Sequence, residues 1–167
     1  IRAAALEDFT RAIKLDPEDQ ASYFQRGTTW YEMGIRERKW GKVEEFKKAI
    51  LDLSRASEGE NPAPETLRFR GKSYHRLGEL DQALNDLTRA IQLKEDPLTR
   101  TARGECYNTQ QDFPRALEDF NAALQKSPQL VEALVGRGIT KREQGDHSSA
   151  RADLTRALEL DEQNGEA

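Results

Sequence analysis

Few residues in this chain are of a type that does chemistry on a substrate. Cys106 is the one cysteine and His75 and His147 are the two histidines, so a nucleophile–base pair or a metal cluster would have to be built around these three. A single cysteine forms neither an internal disulfide nor a zinc site by itself. The denser group is cationic. Arg68, Lys72, His75 and Arg76 are separated by four, three and one residues, which at ~3.6 residues per turn places them on one face of a helix over about two and a half turns. Three fixed cations and a titratable ring on one face could seat a carboxylate or a phosphate; a plain solvated basic face is the competing reading. Trp40 is a second candidate, because an aromatic flanked by Arg36, Arg38 and Lys39 can anchor a partner, the alternative being an ordinary solvated loop.

The elements that hold these residues repeat. Arg-Gly recurs at Arg26-Gly27, Arg70-Gly71, Arg103-Gly104 and Arg137-Gly138, the last three pairs 33 and 34 residues apart. Between them lies a second pattern, Ala5, Phe9 and Ala12, matched by Ala83, Leu87 and Ala90, by Ala116, Phe120 and Ala123, and by Ala150, Leu154 and Ala157. Spacings of four and three put each trio on one helical face, and the small residues allow two helices to approach closely. Each unit therefore reads as a helical hairpin. The register also tests catalysis. Cys106 aligns with Thr29, Ser73 and Thr140, a small inner packing position, and His147 aligns with Leu80 and Phe113, which predicts a staple between helices. His75 aligns with Tyr31, Asn108 and Arg142. No nucleophile stands beside a base, no metal ligands cluster and no cofactor is expected, so the sequence predicts a protein that is not an enzyme.

The prolines Pro17, Pro97 and Pro128 mark joints between hairpins, and Pro114 the start of a second helix. Asp112 and Asp146 are placed to cap second helices, and Gly78 and Gly145 to end first helices in the left-handed conformation. The expected organisation is one all-α solenoid over 1–167. It comprises the second helix of a truncated repeat (1–17), repeat 1 (18–63) with extra residues near 35–40 and 54–63, repeat 2 (64–96), repeat 3 (97–129), and repeat 4 with the C-terminal end (130–167). An acid precedes the Leu or Phe of each second helix, at Asp8, Glu45, Asp86, Asp119 and Asp153. Because an unpaired buried charge is costly, these acids are the predicted partners of Arg26, Arg70, Arg103 and Arg137.

Gly104, Tyr107, Ala116, Phe120, Ala123 and Pro128, with their counterparts along nearly the whole chain, resemble the tetratricopeptide repeat family. The systematic departure is Arg where that family usually has Leu before the Gly. The resemblance implies a right-handed superhelical solenoid of antiparallel helix pairs, whose first helices line a concave groove that holds a partner peptide or helix. Transferred residue by residue, the groove positions are Phe24, Thr28 and Tyr31; Arg68, Phe69, Lys72, His75 and Arg76; Thr101, Glu105 and Asn108; and Ile139 and Arg142. One subclass of the family clamps the acidic C-terminal tails of chaperones with Lys, Asn, Asn, Lys and Arg. In either register this chain lacks the two Asn and the final Arg, so chaperone tails are not expected as ligands.

Composition narrows the partner. Twenty-six Lys and Arg against thirty Asp and Glu give a net charge of −4, which provides no electrostatic footprint for nucleic acid. No apolar run approaches the ~20 residues needed to span a bilayer, so no membrane insertion is expected, and the lone cysteine points to a reducing, cytoplasmic setting. Beginning at Ile1, the chain reads as part of a longer protein. Two functions follow: an adaptor or scaffold gripping another protein, with an acidic or phosphorylated segment suiting the basic repeat, or a structural spacer in a longer solenoid that stacks end to end with its groove idle.

Overall fold

The computed structural model describes residues 2–36 and 43–165. Among these residues there are nine helices and no strand: α1 (Arg2–Leu15), α2 (Gln20–Arg36), α3 (Val43–Ala56), α4 (Pro64–Arg76), α5 (Leu80–Leu93), α6 (Pro97–Thr109), α7 (Phe113–Lys126), α8 (Val131–Glu143) and α9 (His147–Gly165). They fall into two compact units, 1–93 and 94–167. In the first unit α1 packs on α2, α2 on α3 and α4, α3 on α4, and α4 on α5. In the second α6 packs on α7 and α8, α7 on α8, and α8 on α9.

Local chemistry sets the helix ends. Asp96, Asp112 and Asp146 accept the backbone N–H groups of Thr99, Arg115 and Ser149, satisfying donors that a helix start leaves unpaired. First helices end in a left-handed residue, Gly78 at φ 78° and Gly145 at φ 85°, and the equivalent turn in the middle hairpin uses Gln111 at φ 60°. All three turns close the same way, with the next N–H returning to the last helical turn: Glu79 to the Tyr74 carbonyl at 3.0 Å, Asp112 to that of Tyr107 at 2.9 Å and Asp146 to that of Lys141 at 2.9 Å.

Within each hairpin a glycine lies against a large side chain. A Cβ on Gly71 would meet Leu87 Cγ at 2.8 Å, one on Gly104 would meet Phe120 Cε1 at 2.9 Å, and one on Gly138 would meet Leu154 Cγ at 2.8 Å. Phe120 also fills the space over Gly136, where the distance is 2.5 Å. Ala83, Leu87, Ala90, Ala116, Phe120 and Ala123 are 0% exposed, and each fully buried Leu or Phe contributes about 1.5–3 kcal/mol. The repeat spacing thus becomes a close helix–helix seam in each unit.

The second hairpin helix of the first unit sits in a different register from the sequence expectation. Gly27 lies against Leu53, whose Cγ a Cβ on the glycine would meet at 2.8 Å, and Arg26 pairs with Asp52, 26 residues on, where the other three hairpins use a 16-residue separation. All ten extra residues therefore lie between Arg26 and Asp52, and none in 54–63. Phe46 instead packs over Gly34, about two helical turns nearer the hairpin's closed end.

Candidate functional site

The repeated arginines form the framework of any site here. Each guanidinium grips both carboxylate oxygens of an aspartate on the facing helix: Arg26 with Asp52 (2.8 and 2.8 Å), Arg70 with Asp86 (2.6 and 2.8 Å), Arg103 with Asp119 (2.7 and 2.9 Å) and Arg137 with Asp153 (2.8 and 2.7 Å). This fork-to-fork geometry fixes helix orientation as well as neutralising charge. The remaining guanidinium nitrogen reaches back to the preceding hairpin where both lie in one unit. Arg26 donates to Thr10 Oγ1 (3.1 Å), Arg70 to Ser57 Oγ (2.7 Å) and Arg137 to Asn121 Oδ1 (2.9 Å).

Four members of these pairs have a shifted pKa. Hydrogen bonding to the aspartate raises the arginines at 26, 70 and 103 above their ordinary value, against the opposing effect of burial. Burial pushes the Asp153 carboxyl up, but Arg137 and Lys141 together outweigh it and its pKa is lowered. The pairing with Asp86, Asp119 and Asp153 follows the sequence expectation. The partner of Arg26 is Asp52 rather than Glu45, and Asp8 has no ion-pair partner among the described residues. Sequence reasoning also missed the second cations, Arg100 on Asp119 (3.0 Å) and Lys141 on Asp153 (2.8 Å). A signal for Asp52 was present, since Ala49, Leu53 and Ala56 carry the four-then-three spacing that Phe46 and Ala49 lack.

In the first unit the residues expected to line a groove come together on α2 and α4, though not all as ligand contacts. Tyr31 is only 3% exposed; its ring packs against Phe46 (5.9 Å between centroids) and Phe69 (5.7 Å), making it core rather than wall. Phe24 meets Phe69 edge to face at 6.1 Å, and both are partly exposed. Arg68 lies over the Phe69 ring at 5.0 Å and Lys72 over Tyr31 at 5.4 Å. Thr28 is partly exposed, with its hydroxyl turned back to the Gln25 carbonyl. Arg76 is exposed and His75 half-buried. Burial, then the nearby Arg76 and Lys72, lowers the His75 pKa. Phe24 also borders a cleft of about 380 Å³ lined by Ala56, Ala63 and Glu65 among others.

The second unit treats the corresponding residues differently. Thr101 is buried and donates to the Pro97 carbonyl at 2.9 Å. Asn108 bridges α6 and α8: its amide donates to the Gly136 carbonyl at 3.4 Å, and its Oδ1 lies 2.8 Å from the Thr140 hydroxyl, which also approaches that carbonyl. Glu105 is partly exposed, Ile139 is 36% exposed, and exposed Arg142 is paired with Glu143 at 2.9 Å.

Cys106 is 0% exposed, and its thiol is pushed up to about 12 by burial and then by Glu105, which keeps it protonated and unreactive at neutral pH. His147 is exposed, so it makes no staple. Among the described residues no group of His, Cys, Asp and Glu is arranged to hold a metal, and no helix is long and apolar enough to cross a membrane. Trp40 lies outside the described residues.

Stacked antiparallel hairpins, joined by repeated seams and displaying variable first-helix residues, define a helical-repeat protein whose class works by presenting a surface to other proteins. Family models described as tetratricopeptide repeat match residues 69–131 and 131–164, together more than half of the chain. The chain belongs to the tetratricopeptide repeat family and is a protein-interaction module with that family's all-α solenoid fold. It is similar to human Tetratricopeptide repeat protein 13, 28% identical over 136 residues covering 81% of this chain and 15% of that protein. It is also similar to rat DnaJ homolog subfamily C member 3, 28% identical over 172 residues covering 95% of this chain and 33% of that protein. The chain thus spans a third or less of the length of these curated relatives. Among solved structures, that of MamA matches with a TM-score of 0.76 at 19% identity, covering 97% of this chain and 90% of that one.

Proposed function

We propose that the α2–α4 face of the first unit is a non-catalytic binding surface for an acidic or phosphorylated segment of another protein, in an intracellular, reducing setting. The observation that carries this reading is an imbalance on α4. Arg70 is neutralised by Asp86, whereas Lys72 and Arg76 have no carboxylate within ion-pair distance among the described residues, and they lie on the same helix as the partly exposed Phe69. Cations left available beside rings offer an anionic peptide both charge and apolar contact. The binding residues are Lys72 and Arg76 for charge, Phe24 and Phe69 for apolar contact and Thr28 at the edge. Arg68 and Tyr31 support the rings from behind. A role for this chain as a module within a larger adaptor agrees with its similarity to longer proteins.

The test is fluorescence anisotropy with labelled 12-residue peptides, one rich in Asp and Glu, one phosphorylated and one basic. The acidic and phosphorylated probes should bind, weaken as salt rises because exposed charges are screened over ~8–10 Å, and lose about tenfold in affinity with Lys72→Glu plus Arg76→Glu. Equal binding of the basic probe, or indifference to that double reversal in a protein of unchanged helical signal, would remove the proposal.

A further inference from the structure

We infer that the segment held on the α2–α4 face is charge-polarised: a lysine or arginine seated in the cleft beside Phe24 and Glu65 stands about three to five residues from the acidic or phosphorylated group that meets Lys72 and Arg76. The inference rests on the anionic-segment reading of this face and adds to it a second, cationic subsite. Its first support is the order of side chains along α4. Glu65, Phe69, Lys72 and Arg76 are spaced four, three and four residues apart, which places them in one stripe of the helix. The stripe runs from an anion through a ring to two cations. Glu65, in the first turn, is exposed and has no cation within ion-pair distance among the described residues. A carboxylate at one end and two cations at the other match a ligand with the opposite order of charge.

The second support is a cleft at the Glu65 end. Helix α3 stops at Ala56, four residues past Asp52, whereas α5 and α7 run seven residues past Asp86 and Asp119. Beside the connection that follows, 57–63, lies the cleft of about 380 Å³, bordered by Ala21 and Phe24 of α2, Ala56, Asn61 and Ala63 of the connection and its approach, and Glu65. Phe24 also meets Phe69 edge to face at 6.1 Å, so cleft and stripe are continuous. Alanines and a ring beside one carboxylate suit a long side chain with an apolar stem and a cationic head. A purely apolar side chain would use the ring and leave Glu65 unmet. Glu65 lies about 10 Å along the helix from Lys72 and about 16 Å from Arg76 at ~1.5 Å per residue. An extended peptide covers those spans in about three to five residues at ~3.3 Å each.

The experiment uses labelled 12-residue peptides of identical composition, each with one arginine and a Glu-Glu pair in a Gly-Ser background, read by anisotropy against the intact chain. In one isomer the arginine stands four residues from the pair and in the other nine. Both chain orders are made, because the stripe fixes the ends of the ligand and not its direction. The four-residue spacing should bind about three- to fivefold tighter in at least one order, the worth of a partly exposed ion pair. Two variants should abolish that preference: Glu65→Gln, which removes the charge, and Ala21→Phe, which fills the cleft. Both positions are exposed, and circular dichroism should show both variants folded as the parent. Equal affinity of the two spacings in both orders, or a preference that survives either variant, overturns the inference. Lys72→Glu with Arg76→Glu separates it from the reading beneath it. If that double reversal leaves both isomers unchanged, the anionic-segment reading fails and the inference with it; if it weakens both while no spacing preference exists, only the cationic subsite fails.

Discussion

The two units use the same seam and dress it differently. Counting from the glycine of each Arg-Gly step, positions −3, +1 and +4 are Phe24, Thr28 and Tyr31, then Arg68, Lys72 and His75, in the first unit. In the second they are Thr101, Glu105 and Asn108, then Val135, Ile139 and Arg142. In the first unit these positions build a ring cluster with cations laid over it. In the second Thr101 is buried, Asn108 bonds the Thr140 hydroxyl in a link between α6 and α8, and exposed Arg142 is held by Glu143. The Arg–Asp chelate and the glycine seam are common to both. If the proposed binding surface is right, framework and recognition are carried by different positions of one repeat, and a change at a framework position should act on stability while a change on the face should act on binding.

The largest separation should come from the aspartates. Asp119 is 1% exposed and holds two arginines, Arg100 at 3.0 Å and Arg103 at 2.7 Å, whereas Asp52 is 3% exposed and holds Arg26. Removing a buried charge strands its partners, so Asp119→Asn should cost about 3 kcal/mol in urea unfolding and Asp52→Asn about 2 kcal/mol. Equal and negligible losses would show that these chelates do not hold the units. Acid should reveal the same asymmetry at Asp153. Its lowered pKa means that the folded state binds this proton less readily than the unfolded chain. Its contribution is thus fully present above the unfolded value of about 3.9 and is lost as pH falls through the lower folded value. Asp153→Asn should flatten that part of the acid unfolding curve.

How much of this was legible in the sequence differs by position. The helices, the turns at Gly78 and Gly145, the caps at Asp112 and Asp146 and three of the four Arg–Asp pairs follow from residue type and period, because they are local or recur at fixed spacing. Asp52 was hidden by the long α2–α3 connection, which leaves two alternative Ala and aromatic spacings in α3, and only the packing of Leu53 on Gly27 decides between them. The groove was legible only as a family expectation. Tyr31, Thr101 and Asn108 occupy groove positions by count, yet side-chain size and hydrogen bonding take them into the interior, and period alone carries no information about that choice.

The middle hairpin offers a smaller test of whether its unit is framed like the other. Its turn places Gln111 at φ 60°, where the neighbouring turns have Gly78 and Gly145. A side chain in the left-handed region costs roughly 1–2 kcal/mol, and glycine avoids that at some cost in unfolded-chain entropy. Gln111→Gly should therefore stabilise the protein by about 0.5–1 kcal/mol, with Gly78→Ala and Gly145→Ala destabilising. A loss of stability in Gln111→Gly would mean that the exposed Gln111 side chain contributes more than its backbone conformation costs.

The smallest stability effect, and the sharpest contrast between the faces, is expected at position +1. Lys72 Nζ lies 5.4 Å from the centre of the Tyr31 ring and has no carboxylate partner among the described residues. Methionine keeps the length and apolar stem of lysine, so Lys72→Met should forfeit only a cation–π contact of about 0.5 kcal/mol and leave the helical signal and urea midpoint close to those of the parent. Binding of an acidic peptide should nevertheless fall, since one of two available cations is gone and the rings remain. In the second unit the same position is Glu105, and Glu105→Gln should leave acidic-peptide affinity unchanged within a factor of about two. If the two substitutions weaken the peptide equally, the ligand does not distinguish the faces, and the chemical difference between the units has no part in recognition. If only Lys72→Met weakens it while both proteins unfold alike, binding is assigned to the ring-and-cation face and stability to the seam beneath it.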